Sequence, residues 1–540
     1  MANPTELDAV VVGAGFAGLH ALYRLRELGF RTRVVEAGKG VGGAWFWNKY
    51  PGARCDSPSM SYSYSFSPEL EQEWEWTEKY PTQPEVLRYL DHVADRFDLR
   101  KDITFNARVT SAVYNEKAKR WVVNTDTGAS FDVQYLITAA GCISAPKMLE
   151  EPGVERFRGR SYYTGQWPDE EVDFTNLRVA VIGTGSSGVQ AIPMIAQQAA
   201  RLTVFQRTPT FSLPAMNCPL TDDEIAHTKA NYAAFRKVQR NSVFGDEPPE
   251  MPTKSALEAS DEERLARYEA GWAKGGLVHL MMAYTDIMTN KAANDTLADF
   301  VRSKIQSIVT NPTTAESLSP RSYALGTKRC TVDTNYYATF NSPHVHLVDL
   351  RKTPLLEITE NGIRTSETEY EVDAIVYATG YDATTGALTR IDIRGRNGVT
   401  LKEKWASGAR TYLGVAVAGF PNMFTITGPL SPSVLSNVVV SIEQHVEWIC
   451  ECVRFLRESG VEEIEAEAEA EDEWVEHARF VAECTLFPDT ASPYTGGNVP
   501  GKARGLLPYA GGVGAYRQKC DDVASKGYEG FRLISATSSR

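Results

Sequence analysis

The chain has 540 residues, 43% of them apolar and 23% charged, the proportions of a soluble globular protein. At about 150 residues per domain this length calls for more than one domain and a large core, and a net charge of −13 argues against nucleic acid and anionic membranes as partners. No apolar run approaches the roughly 18 residues that span a bilayer, and the first strand opens within about eight residues of the start, which leaves no signal or transit peptide.

In chain order, an apolar strand at residues 9–12 runs into Gly13-Ala14-Gly15-Phe16-Ala17-Gly18, a helix over 20–28, and the strand Arg33-Val34-Val35-Glu36. Aromatic, Gly- and Pro-rich loops follow at 42–66, then a helix near 84–97 and short strands around 103–109, 111–114 and 121–125. The apolar strand 135–139 ends in Ala140-Gly141, and a linker with two prolines covers 144–153. A second unit repeats the first: strand 179–182, Gly183-Thr184-Gly185-Ser186-Ser187-Gly188, helix 189–200, strand 202–205. Its strand delivers Gln206-Arg207-Thr208 and no acid. From 220 to 324 the periodicity turns helical, as in 261–273 and 293–308. Strands return at 344–349 and 373–377, the latter ending in Ala378-Thr379-Gly380-Tyr381. The tail holds a long helix, 441–459, and an acidic stretch, 465–473, read as a solvated helix face.

The two Gly-rich turns end differently, and that difference carries chemistry. An acid after the second strand accepts hydrogen bonds from ribose hydroxyls, whereas an Arg there accommodates a 2′-phosphate. The first turn therefore suits FAD or NAD and the second NADP, which implies electron flow from NADPH to a flavin. The fold class is α/β: two Rossmann-like dinucleotide-binding domains, for FAD and NADP, with a helical insertion in the NADP domain. The expected boundaries are 1–145 and 389–540 for the FAD domain, 146–220 and 331–388 for the NADP domain, and 221–330 for the insertion. None of the eight cysteines forms a CxxC pair, which argues against a disulfide reductase and for reduced thiols in a cytoplasmic protein. His344 and His346 lack a nearby carboxylate or thiol and make a poor metal site.

Between the two turns stands Phe157-Arg158-Gly159-Arg160-Ser161-Tyr162-Tyr163-Thr164-Gly165-Gln166-Trp167-Pro168. It resembles the FxGxxxHxxxW signature of Baeyer–Villiger monooxygenases. Gly42 to Gly52, Arg54-Cys55-Asp56, Gly326-Thr327-Lys328-Arg329, Ala378 to Tyr381 and Gly428 to Ser433 agree with the same family, over residues 8 to 533, nearest the phenylacetone, steroid and cyclohexanone branch. Two positions depart from it: Tyr163 replaces the signature His, and Pro493, in Thr490-Ala491-Ser492-Pro493-Tyr494, replaces a Trp that contacts the nicotinamide nucleotide. A Tyr cannot become a cation near neutral pH and Pro loses the indole donor, so altered NADPH affinity or coupling is expected.

The resemblance implies a monomeric enzyme that uses FAD, NADPH and oxygen to convert cyclic, aryl or linear ketones to lactones or esters, with sulfide oxidation as a side activity. It implies that Arg329 stabilises a C4a-peroxyflavin anion and the adduct's oxyanion, with Asp56 orienting Arg329. Gly13, Gly15, Ala17, Gly18 and Glu36 would bind FAD, together with Gly43, Ala44, Trp45, Phe46, Trp47, Tyr62, Val109 and Val438. Gly183, Thr184, Gly185, Ser186, Ser187, Gly188, Val189 and Gln190 would bind NADP, with Arg207, Thr208 and Lys328 at its 2′-phosphate and Arg54 and Cys55 on the loop facing it. Residues 430–436 would shape the ketone pocket. An N- or S-oxygenating flavin monooxygenase and an uncoupled NADPH-binding flavoprotein are the alternatives.

Overall fold

The computed structural model describes residues 4–246 and 251–535. The first fingerprint sits in an eight-stranded sheet. Strand Thr5–Val12 pairs in parallel with Thr32–Val35 on one side and Ser130–Thr138 on the other, and Val12 lies in register with both Val35 and Thr138. Its last four residues are buried. Layers cover both faces there, so the strand reads as a continuous apolar run rather than an alternating one. Ile103–Thr104 extends one edge, and Met423–Thr425 lies parallel to the C-terminal end of Ser130–Thr138. The other end of Ser130–Thr138 pairs with an antiparallel meander, Val109–Asn115 and Arg120–Thr125. The single strand expected at 103–109 is thus two pieces, because Asn106 takes φ 52° and breaks the extended run.

The second fingerprint lies in a separate sheet of five parallel strands, in spatial order Val345–Asp349, Arg201–Gln206, Arg178–Ile182, Ala374–Tyr377 and Arg160–Tyr163. The stretch between the fingerprints therefore contributes an edge strand. The first sheet takes its strands from residues 5–138 and 392–425, the second from 160–206 and 345–377. Both fingerprint helices start earlier than their apolar periodicity suggests, at Phe16 and Ser186, because the glycines themselves form the first turn.

The helical region between the two halves of the second sheet serves both cores. Helix Asp222–Asn241 opens on a capping box, Thr221 with Glu224. It lays Tyr232 into the first core, where Arg236 donates to Glu71, to Ser63 and to the carbonyls of Ser61 and Tyr64. Helices Asp261–Lys274 and Lys291–Ile308 instead put Tyr268, Leu297, Val301 and Ile305 into the second core. One stretch of chain thereby packs against both nucleotide-type units.

The acidic stretch is solvated only in part: Glu467, Glu469, Asp472 and Glu473 are exposed as expected, whereas Glu465 and Glu471 are buried. Strand Val461–Ala466 buries Glu463 and Glu465, and helix Ala468–Glu483 buries Glu471. Arg396 pairs with Glu463 and Glu465, Arg532 with Glu465, and Lys404 with Glu471 at 2.7 Å. Alternate strand positions and one helix side meet cations arriving from residues 396–410, and paired charge can be buried where isolated charge cannot.

Candidate active site

Glycine makes both nucleotide turns possible. Gly13 has φ +105°, and a Cβ there would stand 2.6 Å from the Ala139 carbonyl oxygen. Gly183, at φ +110°, presses against the Ala378 carbonyl in the same way. Helices Phe16–Glu27 and Ser186–Ala196 then start on Gly15 and Gly185, with no side-chain cap and no acid in the first turn. Such uncapped first-turn amides, which include Ala17 and Ser187, suit a pyrophosphate. Val189 is different: its amide bonds to Gly185 and its side chain is buried in the second core.

Around the first turn the expected residues converge. Glu36 accepts from the Ala14 amide at 2.7 Å and the Gly38 amide at 2.6 Å, and burial pushes its carboxyl up. The loop at Gly42 bonds Ala14, and Gly43 packs on Gly15, which docks the short helix Ala44–Trp47 onto the fingerprint. Trp45 donates to the Tyr62 hydroxyl at 3.2 Å, Tyr62 lies edge-on to Phe16, and Trp47 lies edge-on to Phe46. Val109 packs with Val12 and Val35, and Val438 opens the helix Val438–Glu458. This set of uncapped amides, a ribose-side acid and aromatic walls fits FAD.

The second turn carries cations instead. Thr184 donates to the Thr208 carbonyl at 3.1 Å, and Ser186 accepts from Thr331. Arg207 is exposed, and Lys328 lies over the Tyr323 ring, its amine pulled down by burial and by Arg207. Lys147 is also pulled down, by burial and Arg207. Among the described residues neither Arg207 nor Lys328 forms an ion pair, an arrangement that fits a 2′-phosphate. Gln190 joins the two units: it donates to the Arg54 carbonyl at 2.9 Å and accepts from the Tyr50 hydroxyl at 2.8 Å. The Arg54 guanidinium itself turns to Glu78 and the Tyr80 carbonyl, and Cys55 is buried with its thiol pushed up.

Arg329 and Asp56, 273 positions apart, form a two-pronged pair: Nε donates to Oδ2 at 3.0 Å and Nη2 to Oδ1 at 2.6 Å. Nη1 donates to the Val434 carbonyl at 2.9 Å, and Tyr494 lies alongside. The Asp56 charge raises the guanidinium further above its ordinary value, so it stays a cation at every relevant pH. Both residues line a cavity of about 870 Å³ whose other walls are mainly apolar, among them Phe235, Val238, Leu277, Met281 and Phe487. The turn that carries Val434 is strained. Thr427, Leu430 and Ser433 have φ of 53°, 66° and 43°. His445 Nδ1 accepts from the Thr427 amide at 2.8 Å and holds that turn to the long helix. Among the described residues there is no cluster that could bind a metal, and no helix is long and apolar enough to cross a membrane.

Residues 10–233 match the family model for pyridine nucleotide-disulphide oxidoreductases, although all eight cysteines here are unpaired. A Baeyer-Villiger monooxygenase from Pseudooceanicola batsensis is 43% identical over 97% of this chain and 95% of its own. The chain belongs to the Baeyer–Villiger monooxygenases. The acetone monooxygenase (methyl acetate-forming) of Gordonia sp. (strain TY-5) is 41% identical over 98% of this chain and 100% of its own. The structure of an oxidized steroid monooxygenase bound to NADP superposes with a TM-score of 0.94, at 50% identity over 98% of this chain and 100% of that one.

As a Baeyer–Villiger monooxygenase the chain keeps its two departures in defined places. Tyr163 stacks on Tyr377, ring centroids 4.4 Å apart, and joins the second sheet's packing. Pro493 opens a 3-10 turn that presents Tyr494 to Arg329. Tyr494 was missed by sequence reasoning although it adjoins the noted proline. The cavity walls from 227–281 were missed as well, because in a periodic helical segment a residue lining a cavity looks like any core residue.

Proposed function

We propose that this chain uses NADPH and oxygen to insert one oxygen atom beside a ketone carbonyl, giving an ester or lactone. The observation that carries the reading is Arg329, anchored on Asp56 and facing an apolar cavity. FAD held on the first fingerprint and reduced by NADPH supplies the oxygen-activating chemistry. Glu36 and the amides after Gly15 hold its ribose and pyrophosphate, and Trp45, Phe46, Trp47 and Tyr62 enclose it. Arg207, Thr208 and Lys328 recognise the NADPH 2′-phosphate, as point and fork donors suited to a dianion. Arg329 then meets the negative charge that develops on the substrate's carbonyl oxygen, in a site where apolar walls exclude water and strengthen that interaction. Asp56 fixes the guanidinium plane and balances its charge before substrate arrives, so no reorganisation is needed during reaction. Tyr494 bounds the same cation on its other side. The proposed setting is the cytoplasm, supported by the unpaired thiols, with the chain acting as a monomer.

The test is incubation of the purified flavoprotein with NADPH, oxygen and a panel of cyclic, aryl and linear ketones and sulfides, followed by mass analysis. An ester or lactone one oxygen heavier than the ketone supports the reading. Sulfoxide or N-oxide without ester assigns soft-nucleophile oxygenation instead, and hydrogen peroxide alone assigns an uncoupled flavoprotein.

A further inference from the structure

Among the described residues, two carboxylates line the large cavity, Asp56 and Asp246. Asp56 has both oxygens engaged by Arg329. Asp246 has far less. Among the described residues it accepts a long hydrogen bond, 3.4 Å, from Asn437 Nδ2, whose shorter bond, 2.8 Å, goes to the Ser61 carbonyl, and the Ser61 hydroxyl also approaches it. That hydroxyl is shared with the Pro58 carbonyl at 2.9 Å, so among the described residues two neutral donors at most meet a carboxylate with about four acceptor sites. Arg236, the cation whose field reaches Asp246, is held by Glu71, Ser63 and Gln239. Burial pushes the Asp246 carboxyl up to about 6, as expected for an acid with acceptor capacity to spare in an apolar wall. A half-buried carboxylate in that condition gains from any further donor that reaches it.

Its position is also fixed relative to Arg329. The Asn437 amide donates to the Phe244 carbonyl at 2.7 Å, and Gly245, at φ +70°, packs against Asn437 and Val440. Asn437 directly follows the turn whose Val434 carbonyl holds Arg329. Beyond Asp246 lies a second, smaller chamber of about 320 Å³ that shares Val238, Val243, Phe244 and Val278 with the first. A molecule with its carbonyl at Arg329 and its far end toward that chamber would pass Asp246.

We propose that Asp246 is a specificity-determining residue that favours ketones carrying a hydrogen-bond donor, a hydroxyl or an ammonium, remote from the carbonyl. This rests on the ketone-oxidising reading above. The experiment uses a matched pair of linear ketones, one ending in a hydroxyl and its twin ending in a methyl group, with wild-type holoenzyme, D246N and D246L. Flavin absorbance reports that each variant retains its fold and cofactor. Wild type should prefer the hydroxy ketone by about 10–100-fold in kcat/KM, D246N less, and D246L should bring the ratio to one or below. Calorimetric affinities of the same pair for oxidised holoenzyme, without NADPH, should follow the same order. A hydroxy-to-methyl ratio that is unchanged across flavin-loaded wild type and variants, in both turnover and binding, overturns the proposal. If neither ketone yields ester but the hydroxy ketone still binds in an Asp246-dependent way, the ketone-oxidising reading fails and the donor site stands.

Discussion

Replacing Arg329 with alanine removes a cation whose donors can be counted. A guanidinium has five N–H groups. One on Nε and one on Nη2 go to Asp56, and one on Nη1 goes to Val434. Two remain, with Tyr494 and the cavity as their surroundings. One donor aimed at a developing oxyanion in a dry site contributes about 3–4 kcal/mol, or about 10²–10³ in rate. R329A should therefore slow ester formation by about that factor, while R329K, which keeps the charge but loses the fork on Asp56, should lose about tenfold or more. The assay is product mass in single-turnover mixtures, with NADPH consumption followed in parallel. Flavin-loaded R329A that forms ester within about threefold of the wild-type rate would refute the assignment.

R207A should raise the KM for NADPH by about tenfold or more while leaving that for NADH nearly unchanged, because only the 2′-phosphate loses its charge-assisted bonds; parallel changes remove that assignment. E471A should lower stability by about 2–4 kcal/mol in urea titrations, because the Ala418 amide and the Lys404 amine lose a buried acceptor. His20 and His445 are both held down to about 3 by burial, against the ordinary value of 6.5. The unfolded chain takes up protons below that value which the folded chain refuses, so this contribution is full above pH 6.5 and falls with pH by about 1.4 kcal/mol per unit for each histidine. The stability gap between wild type and H20F, measured in urea at about pH 7.5 and 5.5, should shift toward the variant by about 1.4 kcal/mol at the lower pH; parallel curves contradict it.

Both nucleotide units were legible because their information is local. Gly13, Gly18 and Glu36 lie within one strand-turn-helix-strand, and so do Gly183, Gly188 and Arg207. The pairing of Asp56 with Arg329 was accessible only through resemblance, since nothing in spacing brings residues 273 apart together. The cavity walls were opaque: Phe235 and Leu277 line a cavity between elements, and helical periodicity does not distinguish that from packing. Within the acidic stretch Glu465 and Glu471 were misread because their partners, Arg396 and Lys404, stand some 60 residues earlier. The cluster of basic residues at 390–410 was the signal available.

The substrate cavity has two walls of unlike character. One is the turn around Val434, in which Thr427, Leu430 and Ser433 hold left-handed backbone and His445 secures it from behind. The other is assembled from side chains such as Phe235, Val238, Leu277 and Met281. A change of residue on the first wall must satisfy a backbone that few side chains accept, and any shift is transmitted to the carbonyl on Arg329. A change on the second alters shape and leaves the reacting centre where it was. Divergence toward new ketones should therefore accumulate on the helical side, with the turn as the inherited part, and libraries aimed at altered substrate range have most freedom there.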